Sequence, residues 1–349
     1  MKALVTKDRC WLPGARLWSR AWIALGVAAA LLLPAGIAAA QSDAKKPLQV
    51  VRLGDQTNAE VDYAAVWIAD ELGYFADEGI KIERRSFANG PASLLEFANG
   101  NLDATMAGLA PFMQFAAGGG QFKMVMSVTK GNAPLVGLKK YNSYADLNGK
   151  KIGTPGLGTI HDAVIFYVEQ TKGYKYQRIS GKVTDLAIMV SRGEADAFIA
   201  WEPASALAIA QNPELHYVAQ MPPIKNLESL ELVVQPKLAS EKPEIVYGMV
   251  RAILRGIAYL KNNPPEKSAE LIAKKMGNPK LVPVVMNAFG SVILTEPKVD
   301  MPSTRLILQT IAKQGKISPD LVKDVDGWVG KYLDYSFLDR AEKSLAQAK

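Results

Sequence analysis

The segment Thr154-Pro155-Gly156-Leu157-Gly158, leading into Thr159 and His161, has the residue types that bring backbone close to a small molecule. Glycines let N–H groups at a helix start approach a ligand, and the helix dipole there favours negative charge. Together with Gly153 they do not make G-x-G-x-x-G, and no Lys-Ser/Thr follows to form a phosphate loop. The segment therefore reads either as a ligand loop or as a tight turn. Trp201-Glu202-Pro203 is the second candidate, because an aromatic plane beside a carboxylate suits a flat or cationic group. Its structural alternative is a packed Trp followed by a Glu that complements a helix dipole. His161 and His216 are the two histidines; they are far apart and lack H-E-x-x-H spacing, so no metal site is expected. G-x-S-x-G is absent, so no hydrolase elbow is signalled. A first-turn histidine such as His161 is ordinarily exposed, and only its neighbourhood makes it a candidate.

These residues need elements to hold them. Leu48 to Leu53 predicts a short buried strand, followed by a polar turn at Asp55-Gln56-Thr57-Asn58. Val61, Ala65, Ile68 and Leu72 then fall on one helical face, with Gly73 placed as terminator. Ile80 to Glu83 alternates as a strand, Lys150 to Gly153 predicts another, and Glu231 to Gln235 a third. Thr159 and Asp162 have capping-box spacing at the start of a helix whose apolar stripe is Ile160, Val164, Tyr167 and Val168. Two segments resemble each other: Leu94–Ala107 (LLEFANGNLDATMA) and Ala187–Ala200 (AIMVSRGEADAFIA). Each reads as a helix, a Gly stop, then x-x-Asp-Ala opening a strand, with Gly100 matching Gly193 and Asp103 matching Asp196. One such unit in each of two α/β lobes is the economical reading; chance likeness of two corners is the alternative. Beyond Glu231 the chain turns helical, with Ile245, Met249 and Ala252 on one side, a stop at Pro264-Pro265, and joints expected at Asn278-Pro279 and Pro302-Ser303.

The amino terminus carries Lys2, Lys7, Arg9, Arg16 and Arg20 against Asp8, then an apolar run from Ala21 to Ala40. Basic residues, apolar run and a final Ala38-Ala39-Ala40 have the order of a secretory signal, with cleavage expected after Ala40. A stretch of about 20 apolar residues is also long enough for an uncleaved anchor. Both readings place the remainder outside the cytoplasm. Cys10, the one cysteine, lies in this leader, away from the cleavage point, which argues against lipid modification and leaves the mature chain no disulfide, thiol nucleophile or Cys-ligated metal. Removing the leader's five basic residues and one acid from totals of 41 Lys+Arg and 34 Asp+Glu leaves 36 against 33, a net +3. So mild an excess gives no support to a nucleic-acid partner. The remaining length suggests two domains.

The chain resembles the nitrate/sulfonate/taurine and thiamin-pyrimidine-precursor branch of periplasmic substrate-binding proteins. The resemblance rests on Ala69-Asp70-Glu71-Leu72-Gly73-Tyr74-Phe75 with Glu78-Gly79-Ile80, on Leu95 to Asp103, on Ala145-Asp146-Leu147-Asn148-Gly149-Lys150-Lys151, and on Gly193 to Pro203. It implies an α/β protein of the type II periplasmic-binding-protein fold, with residues 48–137 plus 231–349 as one lobe, 138–230 as the other, and a two-segment hinge. It also implies a ligand site made by Asp55, Thr57 and Asn58; by Asn89, Gly90 and Ser93; by Gly108 and Leu109; by Thr154, Gly156, Gly158, Thr159 and His161; and by Trp201 and Glu202. Asn89, Ser93, Thr154 and Thr159 would donate to the ligand, Trp201 would wall it, and Glu202 or Asp55 would accept from a ligand amine. The implied role is that of the periplasmic component of an ABC importer: a monomer without cofactor or catalytic residue, partnered by permease and ATPase subunits. The ligand expected is a sulfonate or taurine; alternatives are a thiamin pyrimidine precursor or other N-heterocycle, nitrate or bicarbonate. A pyrimidine-synthase-like enzyme and a periplasmic sensor module are the rival functions. No Arg or Lys falls within the candidate loops, and two carboxylates there would repel a simple anion.

Overall fold

A computed structural model describes residues 47–347, so the leader, its cleavage point and Cys10 lie outside the described residues. Strands β1 (Gln49–Gln56), β2 (Ile80–Phe87), β3 (Ala104–Ala107) and β4 (Lys123–Gly131) belong to a first sheet. A second sheet contains β5 (Leu135–Leu138), β6 (Lys151–Thr154), β7 (Gln177–Ser180), β8 (Ala197–Ile199) and β9 (Leu215–Ala219). The chain then returns to the first sheet with β10 (Glu228–Val234) and β11 (Val292–Ile293).

The strand orders are β11-β4-β10-β3-β1-β2 and β7-β6-β8-β5-β9. In the first, β1 runs parallel to β2 and β3, and β10 is inserted antiparallel between β3 and β4. In the second, β6 runs parallel to β7 and β8, and β5 is inserted antiparallel between β8 and β9. Each sheet thus repeats one plan and takes its inserted strand directly after the chain has crossed from the other. The crossings are short, Asn132–Pro134 on the way out and residues 220–227 on the way back. Parallel strands end together at one edge, so the loops after β1 and β3 and those after β6 and β8 form the edges where such sheets bind ligands.

The paired segments owe their likeness to one job. Gly100 and Gly193 have φ of +75° and +71°, the left-handed conformation that ends a helix cheaply only with glycine. The aspartate three residues on then closes the corner onto the neighbouring strand. Asp103 N–H donates to Arg52 O at 2.9 Å, while Asp103 Oδ2 accepts from Arg52 N at 2.8 Å and Oδ1 from Arg52 Nη2 at 2.7 Å. Asp196 N–H donates to Lys151 O at 2.8 Å, and its carboxylate accepts from Lys151 N at 3.1 Å and Tyr141 Oη at 2.6 Å.

The helix expected after the first strand spans Ala64–Glu71, and Gly73 with φ +74° follows it. It lies against the long helix Pro243–Asn262, where a Cβ on Gly256 would come within 2.0 Å of Ala65 O; no other residue admits the backbones so close. Helix Ile160–Lys172 starts at Thr159, whose hydroxyl accepts from Asp162 N. The reciprocal half of the capping box differs from expectation: Asp162 Oδ2 accepts from Gly158 N rather than from Thr159 N. Pro302-Ser303 is not a joint either. Both residues sit in the first turn of helix Met301–Lys313, capped by Asp300 through Ser303 N, since proline is tolerated where the backbone N–H needs no partner. No helix among the described residues is long and apolar enough to cross a membrane.

Replacing Asp103 or Asp196 by Ala is expected to cost about 1–2 kcal/mol each, because a strand N–H, of Arg52 or Lys151, and side-chain donors of Arg52 or Tyr141 lose their acceptor. Denaturant midpoints of the two variants check this, and a cost below about 0.3 kcal/mol in both would show the corners to be ornamental.

Candidate ligand-binding site

Strand-end loops and helix residues on the sides of the two sheets meet through four side-chain hydrogen bonds. Asn89 Nδ2 donates to Pro155 O at 3.0 Å, Gln114 Nε2 to Gly158 O at 2.8 Å, Trp201 Nε1 to Thr57 O at 3.1 Å, and Gln314 Nε2 to Asp162 Oδ2 at 2.8 Å. The glycines of the 154–158 loop make this approach possible, since a Cβ on Gly156 would meet Asn89 Nδ2 at 2.9 Å and one on Gly158 would meet Gln114 Oε1 at 3.0 Å. Gly108 does the same one layer deeper, against Ile160 at 3.0 Å.

Behind these contacts lies a cavity of about 20 Å³. Gln56, Asp62, Gly90, Ala107, Gly108 and Pro111 line it from the first sheet's side, Thr159, Ile160, His161 and Trp201 from the second, and Ser229 of β10 closes it. A volume of that order admits about one water. An organic molecule enters only when the contacts at the rim part.

Of the residues expected at the site, Gly90, Gly108, Thr159, His161 and Trp201 line the cavity. Asn89, Gly156, Gly158 and Thr57 instead serve the closing contacts above. Ser93 Oγ donates to Gly90 O at 2.9 Å and accepts from Thr105 Oγ1 at 3.1 Å, and Thr159 Oγ1 donates to Gly156 O at 2.8 Å. Both hydroxyls are occupied by the protein. Thr154 is fully buried at the end of β6 with its hydroxyl unpartnered, Leu109 is buried in the first turn of helix Leu109–Ala117, and Asn58 turns the chain with φ +55°.

The two carboxylates expected to accept from a ligand are likewise committed. Asp55 is sealed between Arg84, which forms an ion pair with it, and Ser86 Oγ at 2.6 Å; burial pushes its carboxyl up and Arg84 pulls it back. Glu202 accepts from Tyr217 Oη at 2.6 Å, Ala206 N at 2.9 Å and Ser291 Oγ at 3.0 Å, and burial raises its carboxyl against those donors. Neither lines the cavity.

The acceptors that do face the cavity were missed in part. Asp62 is 5% exposed, and burial pushes its carboxyl up to about 7, opposed by the hydroxyl of Thr129, which donates to Oδ1, and by Asn132 and Ser229. It stands beside the apolar helix face read from Val61 and Ala65, so periodicity offered no cue beyond an acid at the edge of that face. His161 is buried, contrary to the ordinary habit of a first-turn histidine. Burial lowers it to about 4, so the ring is neutral at physiological pH. Its Nε2 lies 3.1 Å from Asn132 O, and a carbonyl can only accept, so Nε2 carries the proton. Nδ1 is therefore a bare acceptor, and it has no protein partner. Trp201 packs edge-on against this ring, 5.4 Å between centroids. Among the described residues no group of three or more His, Cys, Asp and Glu is placed to hold a metal ion.

Because Asp62 titrates higher in the folded protein than in the unfolded chain, folding takes up a proton between the ordinary carboxyl range and about pH 7. Stability conferred by this region is then fullest at low pH and falls as pH rises through that window, by at most about 1.4 kcal/mol per pH unit. Asp62→Asn should flatten the dependence. Unfolding midpoints from pH 4 to 8 measure it, and parallel curves for the two proteins would refute the assignment.

With this geometry in view, the chain was compared with known proteins. The family model described as NMT1/THI5 like matches residues 60–267. A protein of Brucella abortus (strain 2308), named only as a binding protein, is 27% identical over 307 residues, covering 82% of this chain and 87% of its own. Among solved structures, the periplasmic nitrate-binding protein NrtA from Synechocystis PCC 6803 superposes with a TM-score of 0.66 at 16% identity, over 85% of this chain and 89% of that one. The periplasmic aliphatic sulphonate binding protein SsuA from Escherichia coli gives 0.61 at 19% identity, over 78% and 94%. The desulfurization enzyme DSZB gives 0.61 at 13% identity, over 85% and 99%. The fold is thus the α/β periplasmic-binding-protein fold, and it serves binding proteins and at least one enzyme.

Proposed function

The chain belongs to the NMT1/THI5 like family, and from that premise we propose that it is the extracytoplasmic solute-binding component of an ABC-type importer. It closes two α/β lobes around a small nitrogen-bearing organic solute and delivers it to a membrane permease driven by an ATPase subunit. The secretory leader supports export to the periplasm, and the four hydrogen bonds that cross between the sides of the two sheets support capture by closure.

One observation carries the choice of ligand: Asp62 and His161, whose Nδ1 has no partner, line the same cavity as Trp201. Both are hydrogen-bond acceptors when Asp62 is ionised, and no Lys or Arg is among the lining residues. A plain oxyanion such as nitrate brings acceptors to acceptors. An amine, an amidine or a ring N–H donates to both, and an aromatic heterocycle also uses the indole. Within the ligands implied by the sequence this favours a pyrimidine precursor or another N-heterocycle, keeps taurine through its ammonium group, and disfavours simple sulfonate, nitrate and bicarbonate. Binding by closure needs no covalent step, so the solute leaves unchanged.

Thermal-shift and titration measurements with aminopyrimidines, taurine, alkanesulfonates and nitrate are expected to show stabilisation by the nitrogen-bearing compounds. Asp62→Ala should weaken that binding about 10- to 100-fold, the range for losing a charged hydrogen-bond partner. Stabilisation by nitrate alone would refute the ligand class, and chemical conversion of a bound compound would refute the receptor role.

A further inference from the structure

A second pocket, of about 160 Å³, adjoins the Val61-Asp62 segment and shares no lining residue with the cleft cavity. Its floor is Val61, Ala64, Thr129 and Ser268, all at most 2% exposed. Phe289, Val292 and Leu294 form its partly exposed rim, so the pocket is reached from solvent without opening the lobes. The lining is apolar apart from two hydroxyls, and these differ. That of Thr129 is committed, donating to the Asp62 carboxylate on the cleft side. That of Ser268 is 1% exposed and has no partner. A buried hydroxyl left unpaired is destabilising, whereas alanine would fill nearly the same space without that cost.

We propose that this pocket is a second ligand site, taking a small apolar ring or short alkyl group that carries one hydroxyl or carbonyl bonded to Ser268 Oγ. The volume supports the class, since an apolar cavity of about 150 Å³ accommodates benzene. The hydroxyl supports the polar group, because a serine both donates and accepts. The cleft cavity, about 20 Å³ with an acid and a histidine in its wall, offers no equivalent room. The site therefore stands independently of which solute the cleft carries.

Phenol and toluene are the probes, titrated into the mature protein and followed by NMR shifts of residues around the pocket and by thermal shift. Both are expected to bind in the millimolar range, phenol about fivefold tighter, the worth of one net hydrogen bond. Ser268→Ala should bring phenol down to toluene's affinity and leave toluene unchanged. Val292→Trp, on the partly exposed rim where folding tolerates a larger side chain, should weaken both at least tenfold. Absence of binding by both probes, or binding unaltered by the rim variant, would overturn the site; equal loss of both probes in Ser268→Ala would overturn the role of its hydroxyl.

Discussion

Asn132 is the residue on which the arrangement of the two sheets turns. It begins the three-residue crossing from β4 to β5, directly after Gly131, with φ of +87° at Gly131 and +45° at Asn132. Its N–H donates to Ser291 O at 2.7 Å, its side-chain oxygen accepts from Glu202 N at 2.8 Å, and its carbonyl receives His161 Nε2. One residue thus ties the segment before β11, the loop after β8 and the first turn of helix Ile160–Lys172 to the crossing between the sheets. The bond to His161 also decides which ring nitrogen is left without a protein partner beside the cavity. Glu202, bonded to Ser291 from the other side, completes the same junction.

The energetics of the closed cleft are modest by design. The four hydrogen bonds that cross between the two sheets are each worth only about 1 kcal/mol net, since the same groups would otherwise find water. In the proposed receptor such a balance would leave closure within reach of a ligand's own binding energy, because a solute shifts an equilibrium only by contacting one form better than the other. Asp62 and His161 would supply that difference there: both are buried, and a buried acceptor gains most from a new donor.

Much of the secondary structure was legible because it rests on local physics. The glycines at 73, 100 and 193 end helices through a conformation that is strained for other residues, and Thr159 caps its helix with its own side chain. The repeated Gly-x-x-Asp corner was visible for the same reason: each aspartate answers the backbone of the adjacent strand, and that need recurs wherever the unit does. Proline at 302 misled because a helix start and a joint use it alike, and only the packing of the residues after it decides between them.

The composition of the site was only half legible, and the reason is geometric. Residue type and spacing marked the loops that converge, and Gly90, Gly108, Thr159, His161 and Trp201 among them do line the cavity. They did not reveal which polar atoms the protein consumes itself. Asp55 meets Arg84 across strand pairing, Glu202 meets Tyr217 and Ser291 from other segments, and Asn89 reaches Pro155 beside the second sheet; each partner is remote in the chain. Asp62 is the converse case, an acid inside an apolar stretch that comes to line the cavity only because the fold sets it beside Thr129 and Ser229 of β4 and β10. The sequence by itself determined many of the elements, several of their caps and the loops that converge between the two sheets. Tertiary structure alone decided which donors and acceptors remain unspent, since hydrogen-bond satisfaction is a property of the assembled partners.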